Sequence, residues 1–182
     1  MNSIRNPLKR GLRIAIRRAT VFVVLALCCG LPVRAAGVQK VAVFDFEFID
    51  TSLQGATYGA NVEEQERLAW AGGELRNRLK QTGRFEVLDV APLAAKAHGV
   101  DLQRCGGCEA QWARELGAQF AITGWVQKVS NLILNMNITV RDADTGKLVN
   151  RMSVDMRGNT QESWSRALNY LLVDRLLSPG GL

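Results

Sequence analysis

The chain has 182 residues, 47% of them hydrophobic, which suits one compact domain with an ordinary core. Its 23 basic and 17 acidic residues give a formal charge of +6, but seven of the basic residues and none of the acidic ones lie in residues 1–35. Without that segment 16 basic and 17 acidic residues leave a charge of −1, and no basic stripe is interleaved with aromatic residues, so the sequence excludes nucleic-acid binding.

The N-terminal segment has the three parts of an export signal. Residues 1–18 are basic, residues 19–31 (ATVFVVLALCCGL) are apolar, and small residues follow. The apolar run is shorter than the about 20 residues that a spanning helix needs. We therefore predict a signal peptide over residues 1–35, cleaved after Ala35 or Ala36, with an uncleaved membrane anchor as the alternative. The mature protein would be periplasmic, with no transmembrane segment.

The first half of the mature chain predicts a strand, a loop and a helix. Residues 38–48 (VQKVAVFDFEF) are rich in β-branched and aromatic residues and indicate a buried first strand. Residues 49–60 are polar and indicate a loop. Asn61, with Glu64 three places later, forms a capping-box pattern that starts a helix, and Gly83 ends it. One face of this helix is apolar, through Leu68, Ala71, Leu75 and Leu79.

Short elements connect this helix to the third strand. Residues 84–90 (RFEVLDV) predict a second strand, and residues 92–100 (PLAAKAHGV) predict a short helix. A loop with two cysteines follows, and residues 108–117 (CEAQWARELG) predict a further short helix. Residues 118–129 (AQFAITGWVQKV) predict the third strand.

The last part of the chain predicts a two-stranded meander and a helix. Residues 132–141 and 148–156 alternate between apolar and polar side chains, which indicates strands with one buried face. Asp142 to Lys147 (DADTGK) form the turn between them. Asn159 and Glu162 offer another capping box, after which a helix carries an apolar stripe through Trp164, Leu168, Leu171, Leu172 and Leu176.

These elements predict one α/β (α+β mixed) domain over residues 36–182. Their order, β-α-β-α-α-β-β-β-α, favours a single-domain sandwich with a mixed five-stranded sheet. The first three strands can run parallel through helical crossovers, and the last two add an antiparallel meander.

Cys105 and Cys108 are the only cysteines of the predicted mature chain, and they form a C-x-x-C pair. In an oxidising periplasm such a pair favours a structural disulfide. A redox pair is the first alternative, although no lysine lies near it in sequence and Glu109 opposes a thiolate. A zinc site needs about four ligands, and the cysteines with His98 give at most three. We expect a disulfide, with no metal, no cofactor and no catalytic residues.

Two further groups of polar residues are candidates for function. Asp45 and Glu47 lie two residues apart in the first strand and could form a carboxylate pair, although a strand end facing the next loop explains them as well. The polar side chains of the meander offer a partner-docking surface, with a solvated or helix-covered face as the alternative. They are Asn135, Asn137, Thr139, Arg141, Arg151, Ser153, Asp155 and Arg157.

Several segments carry a family resemblance that covers about residues 41–177. They are VAVFDFEF, GRFEVLD, LGAQFAITGWVQKVSNLILNMNITVRDADTGKLV and RGNTQESW, and together they resemble a bacterial family of uncharacterised predicted secreted proteins. More distantly the pattern is similar to the N-terminal domain of TolB, to the curli secretion protein CsgG and to lipoprotein activators of penicillin-binding proteins. This resemblance implies an α/β sandwich that works in the cell envelope by binding partners, without catalysis.

Three hypotheses about function follow. The first is a non-enzymatic periplasmic accessory or adaptor protein of a cell-envelope system, which binds an envelope protein. The second is a periplasmic thiol-disulfide oxidoreductase that uses Cys105 and Cys108. The third is a small-ligand-binding protein that uses residues 49–60 and the ends of the parallel strands.

Overall fold

The computed structural model describes residues 37–97 and 99–182. The predicted signal peptide, its cleavage site and His98 lie outside the described residues. None of the helices in the described part is long and apolar enough to cross a membrane.

The described residues form one α/β unit around a six-stranded mixed sheet. The strands are β1 (Gln39–Val43), β2 (Glu47–Asp50), β3 (Phe85–Leu88), β4 (Phe120–Ser130), β5 (Ile133–Asp142) and β6 (Leu148–Met156). The helices are α1 (Leu53–Tyr58), α2 (Val62–Gln81), α3 (Ala94–Ala97, after a 3₁₀ turn at Ala91–Leu93), α4 (Cys108–Glu115) and α5 (Gln161–Tyr170, continued by a π-helical turn at Leu171–Leu176).

The sheet order is β3-β1-β4-β5-β6, and β2 also pairs with β4. Strands β1, β2, β3 and β4 run parallel to one another, whereas β5 pairs antiparallel with β4 and β6 pairs antiparallel with β5. The predicted class and the predicted mixed pairing are confirmed. The sheet has six strands because the first predicted strand is divided into β1 and β2.

The division of this strand has a physical cause in its aromatic residues. In a continuous strand Phe44 and Phe46 would lie on one face, because side chains alternate with a period of two. Here Phe44 packs on one side of the sheet and Phe46 on the other, so residues 44–46 leave the regular strand. The Phe46 ring lies over Gly124 of β4, where a Cβ atom would stand 2.4 Å from it.

Two helices build the larger core on one face of the sheet. The apolar face of α2 is buried as predicted, and so is the predicted stripe of the last helix. They pack on the inward side chains of β4, β5 and β6, such as Ile122, Val126 and Met136. Helix α4 and the segment around α3 cover the other face only over β1 and the beginning of β4, through Phe44, Ala113 and Ala121.

Two details differ from the predicted elements. The predicted loop at residues 49–60 contains α1, because the side chain of Ser52 accepts a hydrogen bond from Gly55 N–H (3.0 Å) and caps a short helix. The N-cap of the last helix is Thr160, not Asn159, since the Thr160 hydroxyl accepts from Ser163 N–H (3.3 Å).

Candidate functional site

Among the described residues, little covers one side of the sheet beyond the area that α4 occupies. We call this the outer face. It comprises side chains of β4, β5 and β6 that point away from the larger core, from the middle of these strands to the turn between β4 and β5. They are Trp125, Gln127, Ile133, Asn135, Asn137, Arg151, Ser153 and Asp155. The side chains of Gln127, Arg151, Ser153 and Asp155 are exposed, so solvent reaches the middle of the face.

The structure brings most of the predicted docking residues onto this face but exposes them unequally. Asn135 lies opposite Asp155, Asn137 opposite Ser153, and Thr139 opposite Arg151. Asn137 and Thr139 are buried, and Asn135 is half-buried. The exposed members of the predicted set are Arg151, Ser153, Asp155 and Arg157.

Side chains on the outer face are held in place by contacts within it. Asn135 Nδ2 donates a hydrogen bond to Asp155 Oδ1 at 2.8 Å. The guanidinium of Arg151 lies 5.9 Å from the ring centroid of Trp125, a cation–π distance. Trp125 therefore belongs to the candidate surface. The sequence signal for it was its position two residues before the polar Gln127 in β4, because residues two apart in a strand share a face.

Arg141 has a different role from the other predicted docking residues. Its Nε atom lies 2.7 Å from Oε1 of Glu109, whose side chain is only 4% exposed. The pair is an ion contact without hydrogen-bond alignment, since Arg141 Nε has no hydrogen-bond partner among the described residues. Arg141 thus holds the first turn of α4 on the sheet, and its guanidinium is not free for a partner.

The outer face continues into an exposed apolar hairpin end. We call this the apolar tip, and it consists of Val129, Leu132 and Ile133, which are 52%, 73% and 56% exposed. Ile133 lies on the same face as Asn135 by strand alternation, and Val129 stands in an irregularity of β4 between Lys128, opposite Leu134, and Ser130, opposite Ile133. Exposed apolar side chains in a cluster, next to polar groups, are typical of protein-binding surfaces.

Cys105 and Cys108 lie immediately before and at the start of α4. Their sulfur atoms are 2.04 Å apart and their Cα atoms 5.6 Å apart, the separations of a disulfide bond. Cys105 Sγ also lies 3.2 Å from Cys108 N and 3.3 Å from Glu109 Oε2. The three side chains form a possible metal-ligand group, but two sulfurs bonded to each other cannot act as separate thiolate ligands.

The acidic residues of the first predicted strand do not form a carboxylate pair. Asp45 is bound by Arg76 from α2. Glu47 accepts hydrogen bonds from Leu102 N–H (2.7 Å) and Gln103 Nε2 (3.1 Å) and fixes the chain that precedes the cysteines. Each carboxylate is therefore used in a separate structural contact.

A crevice of about 590 Å³ lies where β1 ends, between that strand end and the segment at residues 90–102. After β1 the chain continues through β2 and α1 into α2 on one face of the sheet. After β3 it continues into α3 and α4 on the other face, so the connections that follow the neighbouring parallel strands β1 and β3 lie on opposite faces. Such a switch point at the carboxyl ends of parallel strands is where α/β folds commonly bind ligands. Its walls combine apolar side chains, such as Phe44, Val90 and Leu102, with the polar side chains of Asp45, Glu47 and Gln65.

A buried polar network under the apolar tip was not predicted. Lys128 Nζ lies 2.6 Å from Glu64 Oε1, 3.1 Å from Gln54 Oε1 and 3.4 Å from Asp50 Oδ2. Asn159 donates to the same oxygen of Glu64 and accepts from Trp164 Nε1 at 2.9 Å. The available sequence signal was a charged residue at an inward position of β4.

The surroundings of Asp50 lower the pKa of its carboxyl group. Burial by itself would raise the pKa of Asp50, but hydrogen bonds from Ser52 and the charge of Lys128 outweigh it and hold the pKa below its usual value. Ser52 N–H donates to Asp50 Oδ1 at 2.8 Å. The carboxylate is thus kept ionised beside the lysine.

A protein-family model matches residues 39–176, and its description is "Protein of unknown function (DUF2380)". The match covers most of the chain, which therefore belongs to this family of unknown function. No curated protein matches the chain.

Solved structures from three bacteria are similar to this chain. The C-terminal domain of LpoB from Salmonella enterica is 18% identical, with 66% of this chain and 83% of that one covered and a TM-score of 0.47. The same domain from Escherichia coli is 17% identical, with 73% and 91% covered and a TM-score of 0.47. Lipoprotein GNA1162 from Neisseria meningitidis is 14% identical, with 75% and 94% covered and a TM-score of 0.44.

Proposed function

We propose that this chain is an exported, non-enzymatic accessory protein of the bacterial cell envelope, and that it binds a protein partner through its outer face. The basic and apolar N-terminal segment, with small residues at positions 35 and 36, supports export to the periplasm with cleavage after Ala35 or Ala36.

The observation that carries the proposal is the continuity of the outer face with the apolar tip. An aromatic ring, amide groups and two charges lie beside three exposed apolar side chains on one rigid meander. Apolar anchors with a polar rim are the usual composition of protein interfaces. By contrast, Asp45, Glu47 and Glu109 are each engaged in contacts that position backbone or helices.

The test is capture of partners from intact envelopes with a matched pair of variants. Gln127 is exposed at the centre of the outer face, and Gln81 is exposed at the end of α2 on the other side of the sheet. We expect Gln127→Arg to abolish capture of a partner that the unaltered protein and Gln81→Arg both retain, with equal melting temperatures. Equal capture by both variants would reject the outer face as the binding surface.

The choice of Gln127 avoids a confounding loss of stability. Charge reversal at Arg141 would leave Glu109 buried without its counter-charge, and breaking a buried pair costs about 3–5 kcal/mol. A loss of capture could then reflect unfolding. N-terminal sequencing of the recovered protein tests the export step, and a full-length cytosolic product with its leader intact would contradict it.

A thiol-disulfide oxidoreductase is a second candidate, favoured by the placement of the cysteine pair at a helix start. The N–H of Cys108 points to Cys105 Sγ, which would stabilise a thiolate, whereas the Glu109 carboxylate at 3.3 Å would oppose it. We propose the structural role, in which the bond fixes the entry into α4. Cys105→Ser should then keep biological activity and lose about 2 kcal/mol of stability, as expected for so short a loop. Loss of activity with unchanged folding would favour the enzyme.

Ligand binding is the third candidate, favoured by the crevice at the ends of the parallel strands, which is lined by both apolar and polar side chains. A bound small molecule should appear when the protein is purified under native conditions and analysed by mass spectrometry. Val100→Trp would fill the crevice and should release it, while Gln81→Arg should not.

A further inference from the structure

The longest open edge of the sheet is β6. This strand has nine residues and pairs only with β5 in the described sheet, whereas the opposite edge strand, β3, has four. An open edge presents unpaired N–H and C=O groups that can form hydrogen bonds with another strand.

The register of the meander shows which backbone groups of β6 face outwards. Gly158 N–H donates to Leu132 O at 3.2 Å, and Met156 lies opposite Leu134. In an antiparallel pair, hydrogen-bonded positions recur at every second residue. The even-numbered residues of β6 are therefore bonded to β5, and the N–H and C=O groups of Arg151, Ser153 and Asp155 point to the open edge.

We propose that β6 pairs antiparallel with β6 of a second copy of this chain, about a two-fold axis through Ser153. This goes beyond the proposed function, which concerns a different protein partner. In this register Arg151 of each copy lies opposite Asp155 of the other, so that two opposite-charge pairs form by symmetry. Ser153 then meets its own equivalent at the axis.

Both faces of the extended sheet suit this register. On the core side Met152 lies opposite Val154 of the second copy, which places two apolar side chains together. On the outer face Asn135 occupies Oδ1 of Asp155, and Oδ2 can accept from Arg151 of the second copy. The guanidinium of Arg151 lies over the ring of Trp125, and this contact uses none of its N–H groups as hydrogen-bond donors. These N–H groups are therefore available to Asp155 of the second copy.

Other registers are disfavoured by the same charges. A shift by two residues in one direction places Arg151 opposite Arg157, and a shift in the other direction leaves Arg151 and Asp155 without charged partners. A larger shift brings Arg151 or Asp155 opposite its own equivalent. Like charges directly opposite one another destabilise a sheet, so the register centred on Ser153 is selected. The same pattern disfavours pairing with an unrelated apolar strand.

The test is a charge exchange in the full chain, recovered as the cell processes it. Arg151→Asp sets Asp against Asp in both pairs, and Asp155→Arg sets Arg against Arg. We expect each variant to raise the dimer Kd about 30-fold or more, measured by sedimentation equilibrium over about 1–100 µM protein. A one-to-one mixture of the two should regain the original Kd, because each mixed pair again joins Arg to Asp.

Controls keep the outcome unambiguous. Lys80→Asp, on α2, makes the same change of charge as Arg151→Asp. Gln127→Arg alters the outer face on β4, away from the edge strand β6. Neither control should change the dimer Kd. Circular dichroism should show every variant folded, and the exchanged double variant R151D/D155R should also dimerise. A monomeric unaltered protein over the whole range, a dimer that survives either single variant, or a mixture that stays monomeric would each overturn the proposal. These results leave the capture test with Gln127 unaffected.

Discussion

Replacing Lys128 with methionine should be among the most damaging single substitutions in the protein. The side chains of Lys128 and Glu64 are 2% and 3% exposed, and their charged atoms are 2.6 Å apart. Methionine fills most of the space of the lysine stem but removes the ammonium group. Glu64 would then keep a buried negative charge, with Asn159 as its remaining polar neighbour.

The expected loss of stability is about 3–5 kcal/mol, the usual effect of removing one partner from a buried ion pair. For a domain of this size that corresponds to a melting temperature lower by roughly 10 °C. Urea unfolding followed by circular dichroism measures the change directly. The midpoint should fall while the slope of free energy against urea stays constant.

Two further variants separate the buried charge from general effects of the substitution. Lys80→Met removes an exposed lysine and should change the free energy of unfolding by no more than about 0.5 kcal/mol. Adding Glu64→Gln to Lys128→Met should restore part of the lost stability, because the buried charge that lacked a partner is gone. A Lys128→Met protein as stable as the unaltered one would refute this reasoning.

Other substitutions test close packing, helix propensity and pH dependence. Gly124→Ala should cost about 1–3 kcal/mol in urea unfolding, because its new Cβ would lie 2.4 Å from the Phe46 ring. Gly73→Ala, in the middle of α2 with open space around it, should instead stabilise by about 0.5–1 kcal/mol. The pKa of Asp50 is lower in the folded state than its usual 3.8, so its ionised form stabilises the fold above that pH and the contribution is lost as the pH falls through the folded value. Asp50→Asn should therefore flatten the acid side of the stability profile below the usual Asp pKa of 3.8, and an unchanged profile would contradict the assignment.

Regular periodicity explains which elements could be predicted from the sequence. The strict alternation in residues 132–141 and 148–156 predicted the meander, and the helical spacing from Leu68 to Leu79 predicted the buried face of α2. In both cases the apolar positions of the pattern are the ones that pack into the larger core, so the periodicity predicted the packing. The same alternation predicts that the polar side chains of the meander share one face, as those of Asn135, Asn137, Arg151, Ser153 and Asp155 do.

Elements that depend on tertiary contacts could not be predicted in this way. The break between β1 and β2 exists because the Phe46 ring needs the space above Gly124, about 80 residues further along the chain. Glu64 was interpreted as half of a capping box, and Asn61 does cap α2 by accepting from Glu64 N–H at 3.2 Å. The carboxylate of Glu64, however, binds Lys128, and the sequence around Glu64 contains no information about that partner.

The buried network and the candidate surface are connected through the end of β4. Lys128 precedes Val129, the first residue of the apolar tip, and its carbonyl oxygen accepts from both N–H (2.9 Å) and the hydroxyl (3.0 Å) of Thr51. The tip is therefore held at its base by side-chain and backbone contacts, which would lower the entropy lost in the partner binding that we propose. Buried ion pairs often contribute less to stability than well-packed apolar residues would. In the proposed docking surface, Lys128 and Glu64 hold the base of the apolar tip, and thereby its three exposed side chains, in position for a partner.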